Sequence, residues 1–415
     1  MVKNKKQNYD IAIIGAGASG LMAAITAARD GKNVVVLEHK DRIGKKIPAT
    51  GNGKCNYTNE FMDITCFRGN QDMAARILSL FDKNSTIDFF RELGIYPKCK
   101  NGYYYPNSEQ AASILQALEM ELIRLKISVY TDMEITSLEQ QRDDFVIRAK
   151  QCCIRAKKVI FATGLKASPK LGSDGTAFSL IKDLGHHFTP IVPALCGFEA
   201  KGCNFKRISG VRAEGKITVY IEQEEVTADQ GEIQLADYGI SGIPVFQVSR
   251  YASLGLYYKK KVQAVIDFLP NMTEQELKKE LQNRIHHFRD TRTISQMLNG
   301  LFNQKLADEM LRMCKLSPEA HMKGADSDCI EMLTETIKWF TIELIRPRAF
   351  EFAQICSGGI RSEELHIDTL ESKLVPGIYF CGELLDVDGI CGGYNLQWAW
   401  SSGYAAAKSA GKNIG

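Results

Sequence analysis

The amino-acid sequence predicts an α/β fold. A Rossmann-type nucleotide-binding domain is assembled from both chain ends, with a β-rich domain and a small helical domain inserted between them. Three observations carry this: a strand, glycine-rich turn and helix open the chain; a Gly-acid turn and a small-residue helix lie near its end; and the residues between them shift from strand to helix periodicity.

Residues 9–14 read Tyr-Asp-Ile-Ala-Ile-Ile, an apolar run suited to a buried parallel strand. Gly15-Ala-Gly17-Ala18-Ser19-Gly20 follows, then an Ala-rich helical stretch to Asp30 and Gly31. Gly15 allows a tight turn, Gly17 the close approach of a pyrophosphate, and Gly20 close packing of helix on strand. The phosphates then sit where the first helical N–H groups, from Ala18 and Ser19 onward, converge. A second apolar strand runs from Asn33 to Leu37 and ends in Glu38, 23 positions after Gly15, where a carboxylate can accept bonds from ribose hydroxyls. His39 and Lys46, downstream, join the expected binding set. A lone G-x-G-x-x-G is weak; strand, helix and acid in their places make this one specific.

In the middle of the chain, Lys158-Val-Ile-Phe-Ala162-Thr163-Gly164 is a buried strand closing on an Ala-Thr-Gly turn. From about Ile191 to Phe268 the pattern favours β structure, most plainly at Lys216–Ile221 and Val262–Phe268. Thr273-Glu-Gln-Glu276 is a capping box, opening helical spacing over 274–286 and again over 294–314. The boundaries drawn are 1–190 with 345–415 for the split nucleotide domain, 191–270 with about 335–344 for the β-rich domain, and 271–334 for the helical one.

Near the end, Pro376-Gly-Ile-Tyr-Phe-Cys-Gly382-Glu383 is a strand entering a Gly-acid turn. Two-domain flavoproteins of the glutathione-reductase type carry a similar turn, whose carboxylate holds a ribityl hydroxyl. An NAD-only dehydrogenase has no use for it, so the cofactor implied is FAD and Glu383 is the ribityl candidate, with a turn or capping acid as the alternative. Gly392-Gly393-Tyr-Asn395-Leu396-Gln397-Trp398-Ala-Trp400 then leads into a helix running to about Ala410. Its positive end suits the pyrimidine edge of a flavin, while Trp398 and Trp400 suit the core.

Bulk composition removes several alternatives. Lys and Arg number 52 against 49 Asp and Glu, a net charge of +3, without the concentrated basic face that nucleic acid or an anionic membrane needs. The one terminal basic cluster, Lys3, Lys5 and Lys6, reads as a solvated tail. No apolar window reaches membrane-spanning length and no signal peptide is recognisable, so a cytoplasmic protein is expected. The 12 cysteines include no Cys-x-x-Cys pair and read as reduced thiols. No metal site is expected; His186-His187 and His286-His287 are adjacent pairs rather than helix-face ligands.

The segment Ala49-Thr-Gly51-Asn52-Gly53-Lys-Cys55-Asn56-Tyr-Thr-Asn59 is far more specific than a dinucleotide fingerprint. Together with Asp237-Tyr-Gly239-Ile-Ser241-Gly242, Ser357-Gly358-Gly359-Ile360 and the Gly382–Gly403 stretch, it resembles a family of bacterial NAD(P)/FAD-dependent, aminoacetone-oxidase-like oxidoreductases. The resemblance spans essentially the whole chain. It implies a three-part protein with FAD contacts at Gly15, Gly17, Ser19, Gly20, Glu38, Gly51, Cys55, Asn56, Gly382, Glu383, Asn395 and Leu396. Ala18, His39, Lys46, Asn52, Ala162, Thr163, Gly164, Asp388 and Gly393 complete the expected set. The middle motif departs from the family's commoner His-x-Gly-x-Ser-Gly-Pro form at Tyr238 and Ile243, with Pro244 shifted by one.

That family includes a bile-acid-inducible flavoprotein assigned to reducing 3-oxo unsaturated steroids. The resemblance therefore implies an NADH- or NADPH-fed reductase of a conjugated ketone acting on a small-molecule substrate. An oxidase of a small amine such as aminoacetone, releasing hydrogen peroxide, and a non-catalytic flavin sensor stand as alternatives. There is no second G-x-G-x-x-G, so a nicotinamide would dock transiently, and no redox dithiol, since Cys55 stands alone. Asp386, Asp388 and Tyr104 are the catalytic candidates, each with a plain structural alternative. Arg346 and Arg348 would bind an acidic group or form salt bridges. Oligomeric state is not legible in the sequence.

Overall fold

The computed structural model describes residues 8–150, 152–288, 290–320, 327–412 and 414; the tail at Lys3, Lys5 and Lys6 lies outside them. The chain divides into two compact units, Met1–Ile191 with Ile355–Gly415, and Val192–Gln354. The second unit thus takes in residues 345–354, which the motif reading placed in the nucleotide domain. The reason is the strand Phe340–Pro347, whose far end pairs Pro347 with Phe198 as a barrel stave.

The first unit is built on a nine-stranded sheet. Its centre is β1 (Asn8–Ile14), flanked in parallel by β2 (Val34–Leu37) and by the strand Cys153–Phe161, with Ile378–Phe380 parallel beyond that. Ile14 aligns with both Leu37 and Phe161, and Phe161 with Phe380, so three chain segments end at one level. Continuous Val and Ile runs form these strands because both faces are covered; Ile11, Ala12 and Ile13 are fully buried. The strand that ends at Phe161 begins earlier than its apolar half suggested. Its polar first half, from Cys153, pairs antiparallel with Asp144–Ala149. Helix α1 (Ala18–Arg29) is buried along all but its start and last turn, as an Ala-rich helix between sheet and helix must be.

The C-terminal helix, Tyr394–Lys412, slightly overruns the expected span at both ends and packs along α1. Trp398 and Trp400 are fully buried, and each indole N–H donates to a carbonyl, of Gly382 and Tyr57 respectively, at 3.0 Å. Both are core residues with a satisfied polar handle.

The second unit is a closed antiparallel barrel of strands Phe198–Lys201, Gly239–Ser241, Glu224–Ala236, Arg212–Ile221, Val262–Asp267 and Phe340–Pro347. The stretch expected to be β-rich also contains a helix, Ile243–Tyr257, launched from Gly242 with Pro244 in its first turn. Thr273 caps Glu274–Phe288 as predicted, exchanging bonds with Glu276. The periodic stretch 294–314 is two helices, Ile294–Met297 and Gln304–Met313, not one. Gly300 between them has φ +83°, a left-handed conformation no helix continues through. Helix residues Leu277, Leu281, Met310 and Leu333 share one core with barrel residues Ile217, Ile233, Ile266 and Phe340. Among the described residues, no helix is long and apolar enough to cross a membrane.

Candidate flavin site

The glycine-rich turn is shaped by contacts that only hydrogen permits. A methyl on Gly15 would stand 2.6 Å from the Ala162 carbonyl oxygen, and one on Gly20 only 2.0 Å from the Gly15 carbonyl oxygen. A methyl on Gly17 would meet nothing within 4 Å. Gly15 and Gly20 therefore close the packing of α1 on the sheet, while Gly17 leaves open space at the helix start. No side chain caps that start, so the first amides, at Ala18, Ser19 and Gly20, have no intrahelical acceptor. Ser19 also anchors the C-terminal segments: methyls on Gly382 and Gly403 would stand 2.4 Å from its hydroxyl oxygen and 2.3 Å from its carbonyl oxygen. The fold thus brings Gly15, Ser19, Gly20, Ala162, Gly382 and Gly403 together from three distant stretches.

Glu38 closes β2. Its carboxylate accepts from the N–H groups of Ala16 (2.8 Å) and Lys40 (2.9 Å), and pairs with His39 Nδ1 at 3.0 Å. Burial pushes its pKa up, but these bonds outweigh burial and hold it below the usual range. The other His39 nitrogen lies 3.0 Å from Asp174, which also accepts from Lys40 at 3.0 Å. The bond to Glu38, joined by that to Asp174, raises the His39 pKa against its desolvation. Asp174 itself, raised by burial but more strongly lowered by Lys40, Thr176 and His39, lies at about 2. Sequence reasoning did not find Asp174; its only signal was its place in the loop after Ala162-Thr163-Gly164.

The Gly-acid turn is similarly occupied. Glu383 accepts from the Cys356 N–H at 2.7 Å and pairs with Lys46 at 3.1 Å. Gly382 donates to Ser402 Oγ at 2.9 Å. A methyl on Gly164 would lie 2.6 Å from Ser173 Oγ and 3.9 Å from Glu383, so Gly164, Ser173 and Glu383 share one corner. Thr163 turns its hydroxyl toward the Gly164 carbonyl, at 3.4 Å.

The Gly51–Asn56 segment is a tight loop in which Gly51 and Asn52 both take left-handed backbone, with φ of +55° and +53°. Cys55 is buried, and burial pushes its thiol up to about 12, so it is an unreactive packed thiol. Asn56 Oδ1 would lie 2.7 Å from a methyl on Gly393, which places this loop beside the paired glycines. The Asn395 side chain is committed to its own turn, exchanging 2.8 Å bonds with the N–H and carbonyl of Gly389; what it can offer a ligand is backbone. Leu396 is half-buried in the same helical turn.

The catalytic candidates fall in polar but engaged positions. Asp386 accepts from Thr189 Oγ1 at 3.0 Å. Asp388, 5 % exposed, sits on the strand Val387–Gly389, paired with Phe67–Gly69. Tyr104 lies in the hairpin Pro97–Lys100/Tyr103–Pro106 and donates to Glu60 at 2.7 Å. That bond, with burial, pushes its pKa up to about 12. Glu60 is paired in turn with Lys83 at 2.7 Å. Arg346 pairs with Glu199 at 2.8 Å. His186 bonds Glu364 and Ser372, and His187 bonds Glu364. Among the described residues no group of His, Cys, Asp and Glu is arranged to hold a metal.

Among the described residues, the buried oxygens with no hydrogen-bond partner include Asn56 Oδ1, Ser173 Oγ and Ser357 Oγ, which stand in the motifs and loops of this site. Such atoms cost free energy unless a ligand or water meets them. Together with the open space at Gly17 and the uncapped helix start, they fit a dinucleotide cofactor that supplies phosphates and hydroxyls. Ser357 stands in the quoted Ser357-Gly358-Gly359-Ile360 motif but was given no role; Ser173 had no sequence signal beyond its neighbour Asp174.

The family model described as HI0933-like protein Rossmann domain matches residues 9–409. The chain is 44 % identical over 407 residues to a 3-dehydro-bile acid delta(4,6)-reductase of Clostridium scindens, covering 96 % of this chain and 98 % of that one. It is 25 % identical over 405 residues to a ribosomal RNA dihydrouridine synthase of Escherichia coli, covering 97 % and 98 %. Among solved structures, a flavocytochrome c3 fumarate reductase in its open conformation shares the fold with a TM-score of 0.50 and 13 % identity, over 98 % of this chain and 78 % of that one.

Proposed function

The chain belongs to the HI0933-like Rossmann-domain family, and on that premise we propose that it is an FAD-dependent oxidoreductase. Its reaction is reduction of a carbon–carbon double bond conjugated to a ketone in a 3-oxo steroid of bile-acid type, with NADH or NADPH as electron donor. The observation that carries this reading is the end-to-end 44 % identity to a reductase of that name. The names of both relatives denote reduction of a carbon–carbon double bond, which favours a reductase over an amine oxidase.

FAD supplies the electron chemistry once bound. The chain's own part is to hold it: the open helix start at Gly17–Ser19 for phosphates, Glu38 for ribose hydroxyls, and Glu383 with Lys46 and Ser173 for the polar chain beyond. Lys46 places a donor 3.1 Å from Glu383, and the Cys356 N–H holds the other carboxylate oxygen at 2.7 Å, so the pair fixes where that carboxylate stands. Cys55, Cys356 and Cys381, the cysteines of the flavin-site motifs, are buried, and no Cys-x-x-Cys pair occurs in the sequence.

The test is the visible spectrum of purified protein, followed anaerobically while NADH or NADPH is added, then a 4-ene-3-one steroid. Bleaching of the flavin bands by the nicotinamide, and their return with the steroid, is the expected result. Flavin bands that bleach with an amine and yield peroxide in air would replace the reductase by an oxidase. Bleaching by nicotinamide with reoxidation only by a uridine-containing RNA would move the substrate to a nucleobase. Bands that no donor bleaches would leave a flavin sensor.

A further inference from the structure

In the first unit, the loop at residues 172–174 connects the two carboxylates assigned to cofactor hydroxyls, Glu38 and Glu383. A methyl on Gly172 would stand 3.6 Å from Lys40 Cγ and 3.8 Å from His39 Cε1, so the loop lies against the two residues that follow Glu38. Asp174 grips both of them. Its Oδ2 accepts from His39 Nε2 and from Lys40 Nζ, each at 3.0 Å, and its Oδ1 from the Thr176 hydroxyl at 2.8 Å. Ser173, one residue earlier, is buried. Its hydroxyl oxygen has no partner among the described residues and lies at the corner shared with Gly164 and Glu383.

His39 and Lys40 in turn fix Glu38 at one oxygen: Oε1 lies 3.0 Å from His39 Nδ1 and accepts from the Lys40 N–H at 2.9 Å. Both nitrogens of the His39 ring thus face carboxylate oxygens. An ionised carboxylate only accepts, so the ring donates on both sides and carries a charge. A carboxylate held by a clamped donor loses less freedom when ribose hydroxyls reach it, as outer-shell carboxylates orient the histidine ligands of metals. We propose that Asp174 is a positioning residue for the cofactor: through His39 and Lys40 it sets where the Glu38 carboxylate stands. The loop 172–174 is then a single tie from Glu38 to the Gly164–Glu383 corner, where Ser173 offers the cofactor its free hydroxyl. This rests on the FAD reading and adds to it a residue that touches no part of FAD.

The test is the dissociation constant of FAD, read from the recovery of free-flavin fluorescence as the loaded protein is diluted. Asp174→Asn, nearly isosteric, should bind FAD about tenfold more weakly than wild type. Asp174→Glu keeps the charge and should recover part of that loss. His39→Gln removes the clamp without touching the loop and should weaken FAD as Asp174→Asn does. Glu38→Gln should weaken FAD by itself, and adding Asp174→Asn to it should weaken it no further, because the effect of Asp174 runs through Glu38. A loop that only stabilises the fold would lower affinity by the same factor in both backgrounds. That outcome, or a wild-type affinity kept in Asp174→Asn, overturns the proposal and leaves the FAD reading standing. Wild type that carries no flavin and takes none up defeats the FAD reading, and the proposal with it.

Discussion

His39 stands between two carboxylates, Glu38 and Asp174, each 3.0 Å from one ring nitrogen. Its folded pKa is raised above the ordinary 6.5, so its stabilisation is complete below 6.5 and is lost as pH climbs through the raised value. Urea midpoints measured upward from pH 6.5 should fall in wild type and fall less in Asp174→Asn; equal slopes would contradict this assignment. On the acid side, Asp174 lies at about 2 against an ordinary 3.8, so its contribution holds above 3.8 and disappears as pH drops through 2. Gly20 tests the cofactor turn. A methyl 2.0 Å from the Gly15 carbonyl oxygen meets backbone that cannot step aside, so Gly20→Ala should cost about 1–3 kcal/mol. It should also lower the flavin-to-protein absorbance ratio. The turn glycines and Glu38 were legible in the sequence because they lie within one short stretch. Asp174 and Ser173 were not, because what places them beside His39 and Gly164 is packing of a loop more than a hundred residues downstream of β2.

The C-terminal helix is the element that ties the first unit together. Gln397 accepts from Thr58 Oγ1 at 2.6 Å and donates to the Phe81 carbonyl at 3.1 Å, while Gly403 rests on the Ser19 carbonyl. Gly403→Ala should therefore press α1 and this helix apart, costing about 1–3 kcal/mol. A lowered thermal midpoint together with faster loss of flavin is the outcome to look for. The helix was readable because small and aromatic residues recur at helical spacing. Other elements were hidden by competing signals. The strand Glu224–Ala236 opens on the exposed residues Glu224, Glu225 and Val226, and its pairing with Arg212–Ile221 along its length makes it a strand. The helix Ile243–Tyr257 is rich in Val, Tyr and Leu, residues equally at home in a sheet, so tertiary packing decided it.

For the molecule as a whole, the barrel and its helices hold one continuous core whose buried members, among the described residues, all lie within 198–344. A fragment spanning 192–354 should therefore fold alone with a single cooperative transition by circular dichroism; a broad, non-cooperative melt would show that it borrows stability from the rest. The first unit has no such independence along the chain. Ile378–Phe380 pairs with a strand ending at Phe161, and Gly403 touches Ser19. This order matters on the ribosome. The glycine turn emerges early, but its packing partners follow some hundreds of residues later, tens of seconds at about 5–20 residues per second. During that interval the insert can complete its barrel while the strand Cys153–Phe161 waits for Ile378–Phe380 on its open edge and α1 waits for the C-terminal helix. Loading of the cofactor is then one of the last events in the making of each molecule, and nascent chains of this protein should be clients for chaperones that shelter unpaired strands.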